Sequence, residues 1–199
     1  MSRIPIDLAG FEAKFRDNPD PWNYASSSFE AFKRRVLLQA CGENVFGRGL
    51  ELACANGQTT ISLSGRCLRL LAVDGSQAAI EEARKRTSGM VGVRVAKAAL
   101  PQDMPRGPFD LIVASEILYY LSKADLELTL DRIYGALAPG GRVVVLHHVV
   151  DFDDAACRPA FAQGRAEAFF EQRCHRLLKR SFGRFRVSAF AKSIGRTSG

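Results

Sequence analysis

The sequence is short of several things, and each shortage removes a class of protein. No stretch approaches the ~20 consecutive apolar residues that a membrane-crossing helix needs. The longest apolar run, Val143 to Val150, is broken by His147 and His148. The first seven residues lack the apolar segment of a secretory signal. The five cysteines (41, 54, 67, 157 and 174) are odd in number and have no CxxC spacing. They read as reduced, mostly buried thiols in a cytoplasmic protein. No GxSxG elbow, no phosphate-binding GxxxxGK[ST] loop and no GxGxxG is present. Serine-hydrolase, P-loop and standard nicotinamide chemistry therefore have little support. There are three histidines, and no third ligand stands beside the pair at 147–148 with metal spacing, so no metal is expected. Internal repeats, low-complexity tracts and linkers are missing as well.

What is present suits one domain over 1–199: 199 residues, 47% hydrophobic and 25% charged. Residues 1–25 read as an arm or lid and 26–199 as the core. Phe11 and Phe15 have helical spacing, but Pro5 and Gly10 interrupt, so 1–16 is expected to be loosely attached. The net charge of +7 is uneven. Residues 158–199 hold 10 Lys/Arg against 2 acids, and the remainder holds 18 against 19. A basic tail of this kind could meet an anionic partner. Its simplest reading is a solvated outer face, because the aromatic interleaving of a nucleic-acid platform is lacking. Neither a membrane nor a nucleic acid is expected as a partner.

The organising stretch is 47–60, Gly-Arg-Gly-Leu-Glu-Leu-Ala-Cys-Ala-Asn-Gly-Gln-Thr-Thr. Leu50, Leu52 and Ala53 form a short buried strand. Ala53, Ala55 and Gly57 make room for a tight turn, and a helix follows from Gln58. A strand feeding a small-residue turn and a helix start is a cradle for a nucleotide. Asp74 closes a second apolar strand, 69–74, 17 residues after Gly57. A doubly wound fold places there the carboxylate that grips ribose hydroxyls. Near-continuous apolar strands at 69–74 and 109–115, with a third at 91–96 and a fifth at 142–146, indicate a parallel sheet buried on both faces. Helices are expected over 26–41, capped through Ser27 and Glu30, from Ser76, over 125–137 with Pro139-Gly140-Gly141 as its stop, and over 151–175. A hairpin closes the chain at 176–192.

Glu51-x-Ala53-x-Ala55-x-Gly57, Ala72-Val73-Asp74, 109–113 and Leu137-Ala138-Pro139-Gly140-Gly141 together resemble a class I S-adenosylmethionine (SAM)-dependent methyltransferase. Asp20-Pro21-Trp22, Phe29-Glu30 and the run Ser115-Glu116-Ile117-Leu118-Tyr119-Tyr120-Leu121 narrow the likeness to the rhizobial nodulation protein S family of N-methyltransferases. The family's usual glycines in the first turn are Ala53 and Ala55 here, and alanine resists a positive φ. The resemblance implies an α/β, Rossmann-like, doubly wound seven-stranded sheet, mostly parallel, with a C-terminal antiparallel hairpin and an N-terminal helical extension. It implies SAM as cofactor. The residues implied to hold it are Trp22, Lys33 (or Arg34), Glu51, Ala53, Ala55, Gly57, Asp74, Gly75, Ser76, Ala98, Ala99, Leu100 and Ser115. The family's acid against adenine has no counterpart between 97 and 101, so the backbone of Ala98–Leu100 takes that place.

An amine acceptor must lose a proton before it can attack. Glu116, ending the fourth strand, is a candidate to take that proton or to hold the amine. Its plain structural alternative is an ion pair with Lys33. His147 is a second candidate base, with His148 facing the other way. Tyr24, Tyr119, Tyr120 and His148 are candidate acceptor contacts, one of the two adjacent tyrosines lining a pocket and the other packing. The expected reaction is methyl transfer to a small-molecule acceptor, first an amino group on a sugar or similar metabolite, by a monomer or homodimer. Methylation of an oxygen and a non-catalytic SAM-binding module are the alternatives.

Overall fold

A computed structural model describes residues 4–194. The last five residues of the basic tail lie outside the described part. Among the described residues, seven strands form one sheet: β1 Phe46–Leu52, β2 Cys67–Asp74, β3 Val93–Lys97, β4 Phe109–Ser115, β5 Leu137–His148, β6 Cys174–Ser181 and β7 Phe185–Lys192. Their order is β3-β2-β1-β4-β5-β7-β6. The first five are mutually parallel, and β7 runs antiparallel between β5 and β6. This is the Rossmann-like arrangement expected, hairpin included.

Helices α1 Leu8–Asp17, α2 Ser28–Cys41, α3 Gln58–Ser64, α4 Gln77–Arg86, α5 Lys123–Ala136 and α6 Pro159–Glu171 cover the two faces. One apolar layer joins Leu50, Leu52, Ile112 and Val145 to Leu126, Leu130 and Phe170 of α5 and α6. The other joins Leu111, Val113 and Val144 to Val36, Leu37 and Ala40 of α2. Both faces of the central strands are thus dry, which is why their apolar runs barely alternate. Because β1 pairs with β2 on one side and β4 on the other, the chain reverses direction across the sheet there. Register sets Leu52 beside Val73 and Ala114, so the turns after β1, β2 and β4 open at one edge.

Several local expectations change. The N-terminal segment is not loose. Asp7 caps α1 by accepting the Gly10 N–H, and Phe15 is buried. Pro5 lies before the helix and Gly10 in its first turn, so neither breaks it. The Glu12 carboxylate accepts the Ser76 hydroxyl at 2.8 Å and the Ala78 N–H at 3.1 Å, docking α1 on the start of α4. Ile4 and Ile6 donate backbone N–H groups to Asp153 and Asp154. The capping box at Ser27 is only half made. Ser27 accepts the Glu30 N–H, but its own N–H goes to Asn23, and Glu30 turns to Lys33.

Residues Pro139–Gly141 do not stop α5. They lie within β5, where the register against β4 shifts. His147 and His148 are the last two residues of β5, opposite Arg186 and Phe185, rather than a segment after it. The sixth helix spans only Pro159–Glu171, with proline at its first turn, and 151–158 is irregular. The tail's charge is largely solvated or paired. Edge strand β6 is mostly exposed, and Arg176, Lys179 and Arg186 meet Glu171 and Glu167 of α6. A charged edge also discourages strand addition.

Candidate active site

The turn after β1 takes three left-handed steps at alternate residues: φ is 54° at Ala53, 50° at Ala55 and 79° at Gly57. Glycine is required at the last. A Cβ there would stand 3.0 Å from the Ala83 Cα. The two alanines adopt the conformation their Cβ resists, at about 1–2 kcal/mol each. Such strain persists where surrounding contacts over-determine the backbone. Here the Ala55 N–H is held by Asp74 Oδ2 at 2.9 Å, and the Cys54 N–H by the Val73 carbonyl. Replacing either alanine by glycine should raise stability by roughly 0.5–1 kcal/mol, the strain relief less the greater freedom of glycine in the unfolded chain. Thermal unfolding of Ala53→Gly and Ala55→Gly reads it, and a lowered midpoint in both would count against strain.

A cavity of about 430 Å³ opens above this turn. Its floor is Ala53, Ala55, Asp74 and Gly75, and Ala98 and Leu100 line one wall. Helix α1 and the following loop roof it with Leu8, Phe11, Phe15, Trp22 and Tyr24. Trp22 therefore both packs and lines. Its ring lies 5.6 Å from Phe15 and 5.7 Å from Tyr24. The loop is fastened to the β1 turn by Asn56, fully buried, whose amide donates to Pro19 O and Asp20 Oδ1, each at 3.1 Å. Asn56 and Glu12 are site-shaping residues that sequence reasoning missed. Asn56 stood inside the quoted turn, but its partner lies 36 residues away.

Asp74 sits on the floor with Oδ1 accepting the Ser76 N–H at 2.9 Å. Burial pushes its carboxyl up, against the pull of backbone N–H bonds from Ser76 and Ala55. Ser76 itself points away from the cavity. It caps α4, and its hydroxyl is given to Glu12. Ala99 is likewise occupied, donating its N–H to Asp103, and Ala98 and Leu100 alone of that trio line the cavity. A smaller cavity of about 40 Å³ touches Arg34, Glu51, Ala53, Ala55, Ser115 and Glu116. Glu51 is buried there with Oε2 accepting the Thr60 hydroxyl at 2.6 Å, and burial pushes its carboxyl up to about 8.

The opposite end of the large cavity is a charged cluster around Glu116, whose φ is 56°. Glu116 Oε1 meets the Lys33 ammonium at 2.7 Å, and Lys33 also meets Glu30 at 2.9 Å. Oε2 accepts the Tyr119 hydroxyl at 2.7 Å and the His148 N–H at 2.9 Å. Burial alone would raise the carboxyl's pKa. Bonding to His148 and the Lys33 charge outweigh that and hold it well below the usual carboxylate range. A carboxylate so held is a poor proton acceptor, so of the two roles read for Glu116 only holding and orienting suits this geometry. The ion pair with Lys33 is present.

His147 is not at the cavity. It is fully buried, with Nδ1 2.8 Å from Gln163 Oε1 and Nε2 accepting the Leu118 N–H at 3.2 Å. Burial lowers its pKa and keeps it neutral. It braces the turn that carries Glu116, while His148 lines the cavity. Both tyrosines line it too. Tyr119 is buried against Glu116, and Tyr120 packs edge-on to Phe11 at 4.8 Å. They sit in a single 3₁₀ turn, Leu118–Tyr120, rather than opening a longer helix.

The family model described as "Nodulation protein S (NodS)" matches residues 11–185. The chain belongs to the nodulation protein S family. Among curated relatives, nodulation protein S of Rhizobium tropici is 32% identical over 127 residues, which is 63% of this chain and 53% of that protein. The Sinorhizobium fredii protein of the same name is 30% identical over 141 residues, 70% of this chain and 63% of its own. The chain thus spans less than two thirds of either relative's length. Among solved structures, the N-methyltransferase NodS of Bradyrhizobium japonicum WM9 in complex with S-adenosyl-L-homocysteine (SAH) superposes with a TM-score of 0.79. It is 23% identical, over 93% of this chain and 97% of that one. That likeness establishes the fold.

Proposed function

We propose that this chain transfers a methyl group from SAM to the amine of a small-molecule acceptor. The observation that carries this reading is the two-ended cavity. A buried carboxylate and a left-handed turn stand at one end, and a held acid with a histidine and two tyrosines at the other. Membership of the nodulation protein S family supports it, as does the SAH carried by a structural neighbour.

The residues present fit the cofactor. Asp74 keeps lone pairs for two ribose hydroxyls, Ala98 and Leu100 offer an apolar wall for adenine, and Ala53 and Ala55 leave the floor open for the methionine part. Lys33 is committed to two carboxylates. Arg34, at the small cavity, is therefore the cation for the methionine carboxylate. Bound SAM supplies a methyl group already activated by a positive sulfur. The chain's own part is to orient the acceptor, exclude water and manage a proton. Alignment of this kind contributes up to roughly 7–11 kcal/mol. Glu116 and Tyr119 orient the amine, and the aromatic roof of Phe11, Trp22 and Tyr120 shuts out solvent. An amino sugar is the first acceptor class to try.

Calorimetric titration with SAH, and with NADH on the same sample, tests the reading. Micromolar binding of SAH and none of NADH is expected. NADH binding without SAH binding would sink it.

A further inference from the structure

A proton must leave the acceptor's ammonium, and the groups around the reacting end differ in their freedom to take it. Glu116 already accepts from Lys33, Tyr119 and the His148 backbone. Glu30 is paired with Lys33. The Tyr119 and Tyr120 phenols are pushed up, chiefly by burial, and stay protonated. His147 has both ring nitrogens engaged behind the sheet edge. His148 differs from all of these. Its ring lines the cavity, its side chain is 20% exposed, and Nδ1 stands 3.8 Å from Glu116 Oε1. Phe29 packs edge-on against it at 5.8 Å and limits its tilt. With Nδ1 turned to Glu116, Nε2 is the ring nitrogen left for a ligand.

We propose that His148 is the catalytic proton acceptor, its Nε2 taking the proton from the acceptor's ammonium while the Glu116 carboxylate steadies the imidazolium through Nδ1. This rests on the methyltransferase reading. The step balances. An N–H bond of the ammonium breaks and leaves its electron pair on nitrogen as the attacking lone pair. The proton forms a new N–H bond on the imidazole, which later returns it to water at the cavity mouth. Imidazole suits the task because it changes charge between pH 5 and 8. The charged and titratable groups facing the ring are Glu116 from the end of β4, Lys33 and Glu30 from α2, Tyr119 from the 3₁₀ turn, Tyr24 from the roof and Arg184 from the β6–β7 turn, whose guanidinium lies over Phe29. The arrangement follows a general pattern in which a histidine works as base while a carboxylate orients it.

The test needs no acceptor. Sinefungin is a SAM analogue in which an aminated carbon replaces the methylated sulfur, so its ammonium projects toward the reacting end. SAH lacks that group but shares the methionine and adenosine parts. Taking the ratio of the two affinities cancels the titration of Glu51 and Asp74. Calorimetry on the full chain across a pH series should show sinefungin gaining about tenfold on SAH as pH rises, because an uncharged ring no longer repels the ammonium. In His148→Gln, and in His148→Asn as a second variant, the ratio should stay flat within about twofold. SAH affinity within about threefold of the parent reports an intact cavity. The same pH dependence in the variants as in the parent, or none in the parent, overturns the assignment to His148 and leaves the methyltransferase reading standing. Failure of the parent to bind SAH at all removes both.

Discussion

Lys33→Met should lower the thermal midpoint by about 10 °C. Lys33 is buried, with 7% of its side chain exposed, and pairs with two carboxylates at once, Glu30 and Glu116. Removing one member of a buried pair leaves an uncompensated charge, which costs on the order of 3–5 kcal/mol. In a chain of this size each kcal/mol moves the midpoint by roughly 2–4 °C. The sign with pH follows from the shifts. Burial pulls the Lys33 pKa down, but Glu116 and Glu30 more than restore it, so it is raised overall. Its contribution is present below the ordinary lysine range and lost only as pH rises through the folded value. The depressed Glu116 contributes above the ordinary carboxylate range and loses that as pH falls through its folded value. The cost of Lys33→Met should therefore be flat from pH 6 to 9. It should shrink toward pH 4, where an unpartnered Glu116 protonates in the variant. Adding Glu116→Gln to Lys33→Met should recover part of the loss. A double-variant cycle with no coupling between the two positions would contradict the pairing.

Asp74→Ala should weaken SAH binding by roughly 10²- to 10⁴-fold. A carboxylate accepting two hydroxyls makes two charge-assisted hydrogen bonds, each contributing roughly 1.5–3 kcal/mol. The change has a second effect, because Asp74 also holds the Ala55 N–H. Without it the turn loses one of the contacts that keep an alanine in the left-handed region. Asp74→Asn retains an acceptor oxygen for one hydroxyl but not the charge, and should lose about tenfold. Calorimetry separates the two. Equal affinity in the parent and both variants would show that Asp74 is a structural acid only.

Much of this site is local in sequence. The turn at 53–57, the acid at 74 and the acid at 116 each follow directly from a buried strand, so an apolar run and the residue that ends it suffice to find them. Parallel pairing then brings all three to one edge. The histidines show where that logic stops. Successive strand residues face opposite sides, so the pair at 147–148 had to be split. Which one meets the cavity depends on the register of β5 against β4 and β7, and that was not legible. The first helix failed for a related reason. Pro5 and Gly10 weaken its local signal, and what docks it is Glu12 reaching a helix start 64 residues on.

By itself, then, the sequence determined the class of fold, the order of βα units, the edge where the cavity opens and most of the cavity floor. Those features rest on side-chain periodicity and on turn chemistry, both carried by neighbouring residues. Tertiary structure alone decided that Lys33 is bound to Glu116, 83 residues away. It also decided that His147 is sealed behind the sheet while His148 lines the cavity, that α1 roofs that cavity, and that two alanines are held in a backbone conformation they resist. Each depends on packing between distant elements, where burial sets which charges must pair and which conformations the surroundings can enforce.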